Sequence, residues 1–195
     1  MSGKEIVKAG PTTAYWWQSC AAILAGAVIS FALLPATPAL FSALLAALAI
    51  WIAWVDLEHL IIPDLANAAM AAVGLLLVVI ETPAGARMEW ISDALMRAIA
   101  AGGLLFLLRF AFARMAGKEG LGLGDVKLMA AGATFLSWTS LPYSIALAAA
   151  AAMMVIALRA MKQGAWLNRE TEIPFGAFLA PTIWVAFLLE RLDLL

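Results

Sequence analysis

The chain has one cysteine, Cys20, and one histidine, His59, among its 195 residues. A single cysteine closes no intrachain disulfide, and with one histidine it cannot build a multi-cysteine zinc site. Charge is scarce too: Asp, Glu, Lys and Arg make up 13% of the chain, and no basic face or aromatic-basic cluster presents itself to nucleic acid. No segment repeats with a period of about 20–50 residues, and no low-complexity tail or soluble domain interrupts the pattern.

Apolar residues fill the chain instead. They make up 65% of it, and mean hydropathy is +0.98. Soluble domains fall well below this, so the composition reads as an integral membrane protein, in contact with lipid. A spanning helix needs about 20 mostly apolar residues. Laying that length along the chain predicts an all-α, polytopic transmembrane bundle of about seven spans. They run near Cys20 to Leu34, Leu40 to Val55, Leu65 to Ile80, Ile91 to Ala113, Val126 to Trp138, Leu141 to Ala160, and Phe175 to Leu189. Breaks fall at Pro35 and Pro38, Pro63, Pro83 with Gly85, Gly117 through Gly124, Pro142, and Gly164 through Pro174.

Basic residues set the orientation. Lys4 and Lys8 precede the first span, Arg114 and Lys118 follow the fourth, and Arg159, Lys162 and Arg169 follow the sixth. An N-in, C-out arrangement puts all of these in the cytoplasm, leaves Arg87 and Arg191 outside, and sets Tyr15, Trp16 and Trp17 at the inner interface. A competing reading makes the first segment a cleaved signal peptide, since Lys4, Lys8, an apolar run and small residues near Ala36 to Ala39 fit that pattern. The chain is taken as one membrane-embedded domain over 1–195, with the first span in 1–39 and the core in 40–195.

Two acids stand at the ends of apolar stretches. Asp56 closes the second, and Asp125 follows Gly122-Leu123-Gly124 at the start of the fifth, on the same predicted side. An ionised Asp in hydrocarbon costs roughly 2.5–3.5 kcal/mol on insertion scales, so such residues face protein or water and normally have a task. Paired carboxylates suit peptide hydrolysis: one takes a proton from water while its protonated partner polarises the scissile carbonyl. A helix N-terminus beside Asp125 and a C-terminus beside Asp56 favour Asp125 as base and Asp56 as acid. Solvated helix caps are the competing reading for each acid singly.

Several neighbours support such a site. Gly122 and Gly124 lack a Cβ and would admit an extended peptide. Glu58 and Asp64 would line the same mouth, as supporting or solvated acids, with Asp64 capping the third helix. Lys127 would neutralise a carboxylate or snorkel to lipid phosphate, and His59 would orient an acid or only face solvent. Pro174-Phe175-Gly176 opens the last helix, Pro suiting a helix start and Gly close packing. Arg97 and Arg109, inside the fourth apolar run, are read as snorkelling toward opposite faces. Neither a metal nor an organic cofactor is expected.

Three blocks together resemble the type IV prepilin peptidases, membrane aspartyl proteases grouped with the archaeal preflagellin peptidases. They are Asp56 followed by Ile62-Pro63-Asp64, then Gly120-Leu121-Gly122-Leu123-Gly124-Asp125-Val126-Lys127-Leu128, then Ile173-Pro174-Phe175-Gly176. The resemblance covers most of the chain from Leu44 onward. It implies that Asp56 and Asp125 are the catalytic aspartates. It further implies a prepilin or pseudopilin substrate of a type IV pilus or secretion system, with a short basic leader ending in Gly before an apolar helical stalk. Cleavage would fall at the cytoplasmic face of the inner membrane.

Long members of that family carry an amino-terminal cytoplasmic domain with paired cysteines and N-methylate the new terminus. This sequence resembles the short, peptidase-only members, so methylation and S-adenosylmethionine are not expected. Glu58 stands where many relatives have Asp. A presenilin-like intramembrane protease also uses Gly-x-Gly-Asp, but there Tyr precedes the first Asp and Pro-Ala-Leu opens the last segment, against Val55 and Pro-Phe-Gly here. A transporter or proton relay, and a structural assembly subunit, are the readings from other classes.

Overall fold

The computed structural model describes residues 14–116, 120–163 and 174–195. Lys4, Lys8, Gly117, Lys118, Gly164, Arg169 and Ile173, which enter the sequence reading, lie outside these. Among the described residues every regular element is a helix: α1 (Ala14–Leu33), α2 (Ala36–His59), α3 (Asp64–Glu81), α4 (Arg87–Ala116), α5 (Leu123–Gly132), α6 (Ser140–Gln163) and α7 (Gly176–Arg191). Four, α2, α3, α4 and α6, are long and apolar enough to cross a membrane. The protein is therefore the all-helical membrane bundle that its composition predicts.

Helix ends gather at two poles. The end of α2 and the starts of α3, α5 and α7 meet at one: Ala177 N–H donates to Asp56 of α2, and Lys127 of α5 to Asp64 of α3. The opposite pole joins the end of α3 to the end of α7 through Glu81 and Arg191, 2.7 Å apart. There, too, Ser137 N–H donates to Glu190 at 3.0 Å. Buried Leu45 and Ile52 of α2, Met70 of α3, Leu128 and Met129 of α5, and Ile183 and Phe187 of α7 fill the space between. On α4, Leu95, Ile99, Phe106 and Phe110 stay exposed, as on a helix with one side to lipid.

α1 is built into this bundle. It runs antiparallel to α2, with Gly26 against Ala46 and Ser30 Oγ 2.8 Å from Ser42 Oγ. Trp184 Nε1 of α7 donates to the same Ser42 oxygen at 3.1 Å, so one buried polar chain links three helices.

α2 stops on a residue in an unusual conformation. Leu60 is left-handed (φ 54°, ψ 33°), and its N–H closes the helix on Asp56 O at 2.9 Å. Glycine is the usual residue there; a side chain costs about 1–2 kcal/mol. The sharp turn directs Ile62 inward, and Pro63 then stands at the N-cap of α3. Asp64 follows as the first helical residue and makes no cap, contrary to its expected role; its carboxylate bonds Lys127 instead.

α5 is shorter than the predicted Val126 to Trp138 segment. Its ten residues rise only about 15 Å, half of a hydrocarbon core about 30 Å thick. The helix ends where Thr134 Oγ1 donates to Ala131 O at 2.7 Å and Phe135 N–H turns back onto Gly132 O at 3.0 Å. Residues Ala131 through Leu136 are buried, which is the condition for irregular backbone at membrane depth. Arg97, 7% exposed, serves that break: it pairs with Asp93 and donates to Ala133 O at 3.4 Å. Arg109 likewise donates to Leu121 O. Arg97 thus faces backbone inside the protein, and half-buried Arg109 bonds a carbonyl just ahead of α5, so both meet backbone where snorkelling is expected.

Candidate active site

At the first pole lies a recess of about 430 Å³, walled by the α2–α3 connection and by Gly122 through Asp125 with Lys127. Asp56 and Asp125 both contribute to its wall. They are 5% and 7% exposed, so each is buried yet reaches the same opening.

Each carboxylate is held by the start of a helix. Asp125 is the third residue of α5 and reaches back so that Gly122 N–H donates to its Oδ2 at 3.2 Å. Asp56 Oδ2 accepts from Ala177 N–H of α7 at 2.8 Å. Orphan amides of a first helical turn are natural partners for an anion. The predicted contrast, a helix N-terminus for Asp125 and a C-terminus for Asp56, is therefore offset: Asp56 lies in the last turn of α2, but α7 brings its own N-terminus to the carboxylate. The acid and base roles lose the asymmetry on which their assignment rested.

Asp125 stands at the start of the short α5, outside the four helices of spanning length. Burial pushes its carboxyl up to about 6; the nearby Asp56 charge adds to the rise, and the Gly122 amide opposes it. The rise moves the carboxyl's titration toward neutral pH, the direction that a dyad sharing one proton requires.

The glycines make room for neighbouring side chains. A Cβ on Gly176 would lie 2.5 Å from Ile62 Cδ1 and 3.0 Å from Asp56 Oδ2; one on Gly124 would lie 3.1 Å from Ile62 Cβ. Ile62 is thus wedged between the starts of α5 and α7, 7% exposed. Its place in the Ile-Pro-Asp block was visible in the sequence, but its wedge role was not, and neither was the Ala177 amide. One on Gly122 would meet Asp125 Oδ2 at 3.1 Å.

The remaining predicted residues divide. Asp64 and Lys127 line the recess, joined at 2.7 Å. Glu58 does not: it lies outside the wall, its Oε2 3.7 Å from His59 Nε2, and so is not brought to the mouth as expected. Pro174 is half-buried ahead of α7, with Phe175 at the N-cap, and also stays off the wall. Among the described residues no three His, Cys, Asp or Glu side chains come together as a metal site. A larger recess, about 650 Å³, lies at the opposite pole beside Arg97 and Arg191 and contains neither Asp56 nor Asp125.

The sequence is similar to those of known proteins. Residues 43–158 match the type IV leader peptidase family, a stretch that includes both aspartates. The prepilin leader peptidase/N-methyltransferase of Aeromonas salmonicida (strain A449) is 31% identical over 168 residues, covering 85% of this chain and 54% of that protein. Its counterpart in Burkholderia pseudomallei (strain K96243) is 33% identical over 159 residues, 82% of this chain and 48% of that one. The leader peptidase HopD of Escherichia coli is 32% identical over 125 residues, 64% of this chain and 77% of that one. The chain thus spans about half the length of the first two. No solved structure gives a significant match. With the family matched over most of the chain and both aspartates inside the match, the chain belongs to the type IV leader peptidase family.

Proposed function

We propose that this chain is a membrane aspartyl endopeptidase that removes the basic leader from a type IV prepilin or pseudopilin. One observation carries the reading: two buried aspartates from separate helices open on one recess, each bound by a backbone amide, in a chain of this family. Family membership favours this reading over a presenilin-like protease or a proton relay.

In the proposed step the dyad holds one proton. The protonated carboxyl donates to the scissile carbonyl oxygen, while the carboxylate takes a proton from water as the water oxygen bonds to the carbonyl carbon. Collapse of the resulting diol breaks the C–N bond: the leaving nitrogen takes a proton from one carboxyl as a diol hydroxyl returns one to the other, so the dyad again holds one proton. Two helix starts fix the two acids, so little reorganisation is needed when the peptide arrives. Substrate geometry sets which acid begins protonated.

The recess faces the cytoplasm in this proposal, in the inner membrane. Arg114 lies in the last turn of α4 with Lys118 following in the sequence, and Lys162 lies at the end of α6 with Arg169 following, so both basic clusters lead toward the pole that holds the recess. That distribution supports N-in, C-out, with residues 1–195 acting as one membrane-embedded domain. The test is to incubate the purified chain in lipid with a prepilin and map the products by mass spectrometry. A single cut between the basic leader and the apolar stalk is expected; a cut within the apolar helix contradicts the assignment.

A further inference from the structure

The recess wall holds three carboxylates, Asp56, Asp64 and Asp125, against one ammonium, Lys127. Even when the dyad keeps a proton, the opening is net negative and suits a cationic segment. The Asp64–Lys127 pair stands in that opening, 2.7 Å long, with side chains 74% and 51% exposed. Pairs this open to water contribute roughly 0–1 kcal/mol and weaken with salt, so exchanging one cation for another on Asp64 costs little.

The two partners differ in mobility. Asp64 is a short side chain on the first residue of α3, fixed behind Pro63, where the helix N-terminus favours an anion. Lys127 carries its charge on a flexible four-carbon stem. The anion is therefore the fixed element and the cation the movable one.

We propose that Asp64 is a specificity-determining residue that binds a cationic side chain of the substrate, and that Lys127 is its place-holder, displaced when the peptide enters the recess. This rests on the peptidase reading above and assigns a role that the dyad does not need. A merely structural strut between α3 and α5 would affect every substrate alike; an exchangeable partner acts only on charged ones.

The experiment measures kcat/KM for a leader-bearing peptide and for versions in which its basic residues are replaced singly by Gln. For at least one position the unaltered enzyme should prefer the cationic version by about two- to fivefold at low salt, and the preference should fade at about 0.5 M salt. Asp64→Asn should bring that ratio to about one, Asp64→Glu should keep it, and Lys127→Met should raise it. Each ratio is taken within one enzyme, so partial loss of folded protein cancels. A ratio that stays at its original value in both Asp64→Asn and Lys127→Met overturns the proposal. So does a preference in the unaltered enzyme that is indifferent to salt, which can be read even where a variant fails to accumulate. Failure of the unaltered enzyme to cut any peptide is a separate result, and overturns the peptidase reading itself.

Discussion

One absent methyl group sets how closely α7 approaches Asp56. A Cβ on Gly176 would press on Ile62 Cδ1 and the Asp56 carboxylate together, and Ile62 cannot retreat because the Gly124 backbone lies on its other side. Gly176→Ala is expected to shift the Ala177 amide and to lower kcat/KM by about tenfold or more, since misplacements near 1 Å cost up to about a hundredfold. Gly103→Ala, on an exposed part of α4 with nothing within 4 Å of the added carbon, should leave the rate unchanged. Initial rates normalised to folded protein decide it, and equal rates for both variants would contradict the packing role. The sequence shows Gly176 within a Pro-Phe-Gly block and so suggests close packing. It does not show what packs there, because Ile62 and Asp56 are more than a hundred positions away in the chain.

At the scale of elements, α2, α3, α4 and α6 are legible because each is a long apolar run bounded by Pro, Gly or charge, and the helices begin and end within a few residues of those signals. The end of α5 is not legible. Ala-Gly-Ala-Thr-Phe-Leu is apolar whether helical or turned, and hydropathy records burial rather than backbone shape. The role of Arg97 is hidden for a related reason: its depth in an apolar run is visible from sequence, but its partner is the Ala133 carbonyl, freed only because α5 stops early. Arg97→Met leaves that carbonyl unpartnered and takes the cation from Asp93, which keeps only the Trp138 Nε1 donor at 2.9 Å. The expected loss is about 2 kcal/mol, or about 4–8 °C in the temperature of inactivation for a chain of this size. Arg114→Met, which removes only a cation over the Phe110 ring at 5.7 Å, should shift it much less. Matching inactivation curves for the two variants would show that Arg97 does not support the break.

Over the whole molecule, alternation of helix direction brings the end of α2 and the starts of α3, α5 and α7 to one pole, and that is what sets two remote aspartates on one recess. The pair itself is legible in the sequence, since Asp56 closes one apolar run and Asp125 opens another, each beside a recognisable block. The part played by α7 is not. Hydropathy gives the lengths of helices but not which ones touch, so the N-terminus that meets Asp56 was invisible, and with it the equal treatment of the two acids. The central claim is that both carboxylates act on one water as a unit, and single-turnover cleavage of one prepilin by the unaltered chain, Asp56→Asn, Asp125→Asn and the double variant tests it most directly. Asn keeps an oxygen for the Ala177 or Gly122 amide while removing the ionisable group, so the variants should still accumulate in the membrane. Each single substitution should cost at least about a thousandfold, with the double variant no slower than the singles, as for groups that work together. Cleavage by either single variant within about tenfold of the unaltered rate would contradict the account.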